Sequence, residues 1–282
     1  MGNLVMLVGL PGSGKSTWAL NSGLKTFSSD NIRLELFGDV NDQTHNKEVF
    51  DELQRRIKEC LSSGVDCIYD ATNISRKHRM AFLREVDGHN KTCVLFCPPV
   101  ELCKARNLLR ERRVPEEAID RMVRNFEVPY VYEGWNQIVF VPNEQTANLP
   151  DMHDFDQHNP HHKLSLGEHM DKAADYCAEH KFGRTLEYAA QFHDIGKLYT
   201  QSFDGDSAHY YDHHNYGAYL FLSTFTEVVP SDLYIAALIN WHMRPFLAWD
   251  KSEKAKEKDR KMLGDEMFND ILRLHEADLY AH

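Results

Sequence analysis

Two groups of residues have the types and spacing to do chemistry. Near the start of the chain, Gly9-Leu10-Pro11-Gly12-Ser13-Gly14-Lys15-Ser16-Thr17 has the pattern of a phosphate loop. Its glycines let backbone N–H groups curl around phosphate oxygens, and a following helix turns its positive end toward the anion. Lys15 would reach the outer phosphates of a nucleoside triphosphate, and the Ser16 hydroxyl would ligate Mg²⁺. Far from this loop, 13 of the 16 histidines lie from His153 onward. They include His169, the doublet His193-Asp194, then His209, His213 and His214 beside Asp212, then His242, with Glu276 and Asp278 closing the series. Imidazoles mixed with carboxylates suit Zn²⁺, Mn²⁺, Fe²⁺, Co²⁺ or Ni²⁺ rather than Mg²⁺ or Ca²⁺. Any one such histidine is more often an ordinary hydrogen-bonded residue. Their recurrence near the ends of successive helical patterns points to metal, which would compensate an otherwise costly buried His-Asp pair.

Three further places could handle phosphate. In Ser28-Ser29-Asp30-Asn31-Ile32-Arg33 the serines and Asp30 mark a helix start, and Arg33 lies one turn beyond Asp30. Asp30 there either accepts the proton of an attacking hydroxyl, with Arg33 on an acceptor phosphate, or favours the helix dipole and pairs with Arg33. Cys67-Ile68-Tyr69-Asp70-Ala71-Thr72-Asn73 is a strand ending in an acid, which would orient Mg²⁺, contact the acceptor, or merely serve a turn. Lys104, Arg106, Arg110, Arg112 and Arg113 precede Val114-Pro115. They form either a solvated face or a lid whose arginine neutralises a transferred phosphoryl group.

Holding these groups in place calls for two domains, and 282 residues are about twice a typical domain length. Periodicity lapses from Val141 to Pro150, a polar stretch bracketed by prolines, which sets the expected domains at 1–148 and 149–282. In the first, the apolar run Leu4 to Val8 leads into the phosphate loop. Further apolar runs near 66–69, 92–97 and 137–141 alternate with amphipathic segments near 46–63, 76–86, 99–110 and 115–126. That alternation predicts an α/β fold, a parallel sheet with helices on both faces and ligands at the carboxyl ends of its strands. From Leu164 onward apolar residues recur every three or four positions, which predicts an all-α bundle.

With 42% hydrophobic and 27% charged residues and no apolar run near the roughly 20 residues of a bilayer span, the composition suggests a soluble, cytoplasmic protein without a membrane segment. The six cysteines form no C-x-x-C pair and read as reduced, packed thiols. A formal net charge of -11 argues against nonspecific coating of nucleic acid. Any polynucleotide contact would be local, through Arg76, Lys77, Arg79 and the lid.

The first half resembles the bacteriophage-type polynucleotide 5′-kinases among the small P-loop kinases, over about residues 1–141. The resemblance runs through Gly-x-Pro-Gly-Ser-Gly-Lys-Ser-Thr, Ser-x-Asp-x-x-Arg, Asp-x-Thr-Asn, and Arg-Asn followed by an Arg-rich lid ending in Val-Pro. It implies Asp30 as general base, Arg33 on the acceptor and Arg110 on the donor phosphates, with Asp70, Asn73 and Arg76 contributing to acceptor binding. The lid is about one residue shorter than the family pattern, which keeps Arg112 and Arg113 open as alternatives to Arg110.

The second half resembles the HD phosphohydrolases over about residues 158–282. His193-Asp194 stands in the form His-Asp-x-Gly-Lys, His169 matches the upstream histidine, and Asp278 in Ala-Asp-Leu matches the distal aspartate. Those four match the mononuclear set. His213, selected over His214 by His-x-x-x-Gly-Ala, and His242 imply a second metal with Asp194 bridging. Lys197 would hold a substrate phosphate or lie as a solvated helix end, while His158, His161, His162 and His180 receive no role. Together the resemblances imply an enzyme that heals broken nucleic-acid ends, RNA more than DNA. It would phosphorylate a 5′-OH with ATP and Mg²⁺, and remove a 3′-phosphate or 2′,3′-cyclic phosphate at one or two Mn²⁺, Ni²⁺, Co²⁺, Fe²⁺ or Zn²⁺ ions. A ligase is the partner such ends would meet, and a homo-oligomer is compatible with the sequence. The alternative is a nucleoside or small-molecule kinase fused to a nucleotide phosphohydrolase. A third reading is a nucleotide-sensing regulator that binds ATP without turnover.

Overall fold

The computed structural model describes residues 2–158, 164–205 and 207–282, so His161 and His162 lie outside the described residues. Packing divides the chain into two units. The first comprises the residues up to Met122 together with Pro129–Gln145; the second comprises Val123–Val128 together with Thr146–His282.

The first unit is built on a five-stranded, all-parallel sheet in the order β2-β3-β1-β4-β5. Central β1 (Asn3–Val8) aligns Leu4 with Cys67 and Met6 with Tyr69 of β3 (Cys67–Asp70), and pairs along its whole length with β4 (Asn90–Leu95). The edges are β2 (Lys25–Ser28) and β5 (Gln137–Phe140). Six helices flank the sheet: α1 (Lys15–Ser22), α2 (Ser29–Phe37), α3 (Asn46–Ser62), α4 (Arg76–Glu85), α5 (Val100–Leu108) and α6 (Glu116–Arg124). Their starts follow local chemistry. The Ser28 hydroxyl caps α2 by accepting from the Asp30 N–H, and α3 turns Val49, Leu53, Ile57 and Leu61 inward at helical spacing. Leu7, Ala19, Ile68, Val94 and Phe96 form a core cluster with Trp18 packed against it.

Arg79, expected to attract nucleic acid, is buried instead. Its Nε and Nη2 donate to the two oxygens of Glu133 at 2.8 and 2.6 Å, and Nη1 donates to the Asn73 carbonyl at 2.9 Å. Neither side chain of this pair has exposed surface, so Arg79 satisfies a buried carboxylate and offers nothing to a strand.

The second unit is mainly helical: α7 (Leu166–Glu179), α8 (Arg184–Phe192), α9 (Lys197–Thr200), α10 (His213–Ser223), α11 (Pro230–Trp241), α12 (Glu253–Leu263) and α13 (Asp265–Ala281). A reciprocal Ser165–Glu168 capping box starts α7. An antiparallel pair, β6 (Ser202–Asp204) and β7 (Ser207–His209), departs from the all-α expectation. The segment Val123–Val128 is held here by two asparagines. Asn240 accepts from the Val128 N–H at 3.2 Å and donates to the Phe126 carbonyl at 3.2 Å and to Asn215 Oδ1 at 2.8 Å; Asn215 in turn donates to the Arg124 carbonyl at 2.8 Å. The Phe126 ring stands edge-on to Tyr219. All six cysteines are buried and none forms a disulfide, and among the described residues no helix is long and apolar enough to cross a membrane.

Candidate active site and metal centre

In the first unit the carboxyl ends of β1 and β3 deliver the phosphate loop and Asp70 to one cavity of about 1170 Å³. Gly12 and Gly14 take positive φ values of 80° and 100°, and a Cβ on Gly12 would run into the Cys103 carbonyl. Lys15 bends back so that Nζ donates to the carbonyls of Gly9 (2.9 Å) and Leu10 (2.7 Å) and to Ser13 Oγ (3.3 Å). Burial pushes its pKa down to about 8, with the Asp70 carboxylate opposing. Ser16 Oγ donates to Asp70 Oδ2 at 2.9 Å. Burial raises the Asp70 pKa, while Lys15 and Ser16 restrain the rise. Ser16 and Asp70 therefore present adjacent oxygens of the kind Mg²⁺ takes.

The remaining expected residues divide. Asn73, at φ 47°, lines the cavity, but its amide donates to the Leu7 carbonyl at 2.8 Å and so ties the end of β3 to β1. Arg76 does not line the cavity, and its Nη1 lies 3.5 Å from the Tyr132 hydroxyl. Asp30 gathers arginines. Oδ1 meets Arg33 Nη1 at 3.3 Å and also Arg112 Nη1, whereas Arg110 Nη2 stays 3.8 Å from Oδ2. Both arginines thus face Asp30, with Arg112 the nearer. Arg33 is buried and donates through Nη2 to Asn46 Oδ1 at 2.8 Å. Its Nε is the one buried side-chain nitrogen or oxygen among the described residues without a hydrogen-bond partner. Asn46 opens α3, and nothing in the local sequence marks it as the residue that holds Arg33.

In the second unit six residues from five places converge: His169 on α7, His193-Asp194 just past α8, His213 opening α10, His242 just past α11 and Asp278 on α13. Two overlapping groups result, His169-His193-Asp194-Asp278 and Asp194-His213-His242. The Nε2 atoms of His169 and His193 are 3.2 Å apart, and each lies 3.1–3.4 Å from Asp194 Oδ2 and Asp278 Oδ1. Donors bound at about 2.0–2.1 Å in a tetrahedral shell would be about 3.4 Å apart, so the spacing fits an ion. Asp194 turns its other oxygen, Oδ1, toward His213 Nε2 (3.1 Å) and His242 Nε2 (3.6 Å), as a bridging carboxylate would.

The imidazole orientations give an independent test of fit. Nδ1 of His193, His213 and His242 each lies 2.7 Å from a backbone carbonyl, of Ala190, Tyr210 and Ile239 respectively, which places the proton on Nδ1 and leaves Nε2 facing inward. His213 and His242 then confront each other Nε2 to Nε2 at 3.2 Å, an arrangement that repels unless a cation or proton lies between them. Burial opposes charge on His193, yet Asp194 and Asp278 outweigh it and push its pKa up to about 10; at His242 burial wins and the pKa falls to about 4. Burial also disfavours the Asp194 carboxylate, but Lys197 and His193 hold its pKa well below the usual carboxylate range.

Lys197 is not a solvated helix end. It is buried, with Nζ 2.6 Å from Asp194 Oδ2 and 2.9 Å from Gln157 Oε1. Gly196 permits the close approach that assembles the centre, since a Cβ there would collide with the His213 carbonyl and the Gly217 nitrogen. His180 stacks on Tyr176 and belongs to neither metal group.

Comparison with known proteins bears on the P-loop half. The L-seryl-tRNA(Sec) kinase of Methanococcus maripaludis is 31% identical over 144 residues, 47% of this chain and 56% of that protein, so the chain spans about half the length of the curated relatives it matches. A structure of the Pnkp1/Rnl/Hen1 RNA repair complex is 26% identical over 44% of this chain and 43% of that one, with a TM-score of 0.41. A gluconokinase structure from Sinorhizobium meliloti 1021 is 19% identical over 52% of this chain and 84% of that one, with a TM-score of 0.37. Residues 4–129, which hold the phosphate loop and four of the five parallel strands of a P-loop kinase fold, match the family described as AAA domain.

Proposed function

We propose that this chain heals RNA ends, phosphorylating a 5′-OH in its first unit and removing a 3′-phosphate or 2′,3′-cyclic phosphate in its second. The observation that carries the kinase part is the single cavity shared by the phosphate loop and by Asp30 with Arg33. At about 1170 Å³ it exceeds the roughly 300–1,000 Å³ of a site for one small ligand, leaving room for donor and acceptor together. The similarity to a protein named as a kinase of L-seryl-tRNA(Sec) supports an acceptor hydroxyl attached to RNA.

In this mechanism the phosphate loop and Lys15 hold the β and γ phosphates of ATP, and Ser16 and Asp70 would hold Mg²⁺. Arg33 engages the acceptor phosphate. The 5′-oxygen attacks the γ-phosphorus, its proton passes to Asp30, and the bond to the β–γ bridging oxygen breaks to release ADP. Arg110 neutralises the charge that builds on the phosphoryl group.

The second unit is read as an HD-type phosphohydrolase. His169, His193, Asp194 and Asp278 would hold one ion, and Asp194, His213 and His242 a second. Bound ions would supply Lewis-acid activation of water and of the phosphoryl oxygens. Lys197, itself held by Gln157, fixes the carboxylate of Asp194, and the backbone carbonyls behind three imidazoles fix their tautomers.

The test uses an RNA oligonucleotide with a 5′-OH and a 3′-phosphate, ATP, Mg²⁺ and Mn²⁺ or Ni²⁺, with both ends followed by mass spectrometry. Gain of 5′-phosphate lost only in Lys15→Ala, with loss of 3′-phosphate abolished only in Asp194→Ala, is expected. If neither end changes while ATP is consumed with a free nucleoside, the second reading replaces the first: a nucleoside or small-molecule kinase joined to a nucleotide phosphohydrolase.

A further inference from the structure

Helix α3 carries three distinct stripes. Val49, Leu53, Ile57 and Leu61 face the core. Glu52, Arg55, Arg56, Lys58 and Glu59 are each engaged in an ion pair. Asn46, Lys47, Phe50, Asp51 and Gln54, at spacings that keep one helical face, line the cavity that also holds Asp30 and Arg33. On this third stripe Lys47 is exposed and makes no ion pair among the described residues, although Asp51 lies four positions on. Asn46 accepts from Arg33 Nη2 and donates to the Gln43 carbonyl at 2.9 Å, so its amide orients the arginine rather than waiting for a ligand. Arg33 in turn keeps a buried, unpartnered Nε.

A cavity wall that combines Arg33, an ammonium that makes no ion pair one residue past its Asn46 anchor, and an aromatic ring one turn further along the helix matches a short single strand. Such strands are bound by cations tracking phosphates and by rings that stack on bases. A free nucleoside or sugar would leave Lys47 with nothing to do. We propose that this stripe of α3 is a track for the acceptor strand: Arg33 takes the phosphate that follows the terminal nucleoside, Lys47 takes the next one, and Phe50 stacks on a base. This rests on the 5′-kinase reading and names the residues that would make a strand, rather than a mononucleotide, the preferred acceptor.

The experiment compares a 5′-OH oligoribonucleotide with a nucleoside 3′-monophosphate as acceptors for the full chain, the wild type beside Lys47→Ala, Lys47→Arg and Phe50→Ala. Lys47→Ala is expected to raise KM for the oligonucleotide about tenfold more than KM for the mononucleotide, as loss of one charge-assisted contact implies. It should also reduce the steepness of the salt dependence for the oligonucleotide by about 0.7 in the log–log slope, the share of one single-strand phosphate. Lys47→Arg should restore both. Equal effects on the two acceptors, or an unaltered salt slope, overturn the track. A wild type that phosphorylates neither acceptor overturns the kinase reading itself, and the two failures are distinguishable.

Discussion

Asp30 and Arg112 join side chain to side chain although 82 residues separate them in sequence. The carboxylate proposed as general base is therefore paired with Arg112 as well as with Arg33. A free carboxylate beside bound ATP would be able to activate water. Arg112→Ala is expected to raise acceptor-independent ATP hydrolysis up to about fivefold, the range of a partly exposed ion pair. Phosphate release measured without acceptor checks this, with Lys15→Ala as the inactive reference. A fall in hydrolysis would instead assign Arg112 to the donor phosphates.

The lowered pKa of Lys15 makes nucleotide binding pH-dependent. Burial lets the ammonium lose its proton as pH rises through about 8. Polyphosphate binds the charged form and raises that pKa, so binding takes up a proton above this point and weakens up to about tenfold per pH unit. Calorimetry at pH 7 and pH 9, in buffers of different ionisation enthalpy, should show proton uptake only at the higher pH. Equal affinity at both values would contradict the role given to burial.

Because Asp194 serves both groups, its loss should remove both ions, whereas His242→Ala should remove one. Metal analysis after loading with Mn²⁺ is expected to give about two, about one and near-zero equivalents for wild type, His242→Ala and Asp194→Ala. Ions present at a hundred times their dissociation constant would stabilise the second unit by about 2.7 kcal/mol each, and a chelator should lower its melting temperature accordingly. Equal metal content in the three proteins would remove the bridging role.

The buried Arg79–Glu133 pair makes a separate prediction for the first unit. Glu133→Ala strands a buried guanidinium and should destabilise that unit by about 3–5 kcal/mol, whereas replacing both residues with apolar side chains of similar volume should cost far less. Urea unfolding of the single and double variants distinguishes this from simple loss of packing.

The sequence carried those parts of the architecture that depend on local pattern. The β1–phosphate loop–α1 unit, the amphipathic pattern of α3 and the His193-Asp194 doublet can each be recognised within a short window. Features settled by distant partners could not be read that way. Arg79 has the composition of a surface residue until Glu133, 54 residues away, claims it. Lys197 has the spacing of a solvated helix end until Asp194 and Gln157, three and 40 residues away, hold it inside. β2 escaped because it is a four-residue edge strand, Lys25–Ser28, without a buried residue. β6 is three residues long with Phe203 exposed, so it lacks the alternation that marks a half-buried strand.

The six residues Val123–Val128 precede the last strand of the first unit yet pack with the second, where Asn215 and Asn240 hold their backbone. The two halves are accordingly not beads on a string that a cut near residue 148 would part cleanly. A protease acting there, or a gene rearrangement that exchanged one half, would strip the helical unit of a borrowed segment and expose the amides of Asn215 and Asn240, each within two residues of a metal-facing histidine. Keeping the helical unit whole thus means keeping residues 123–128 with it.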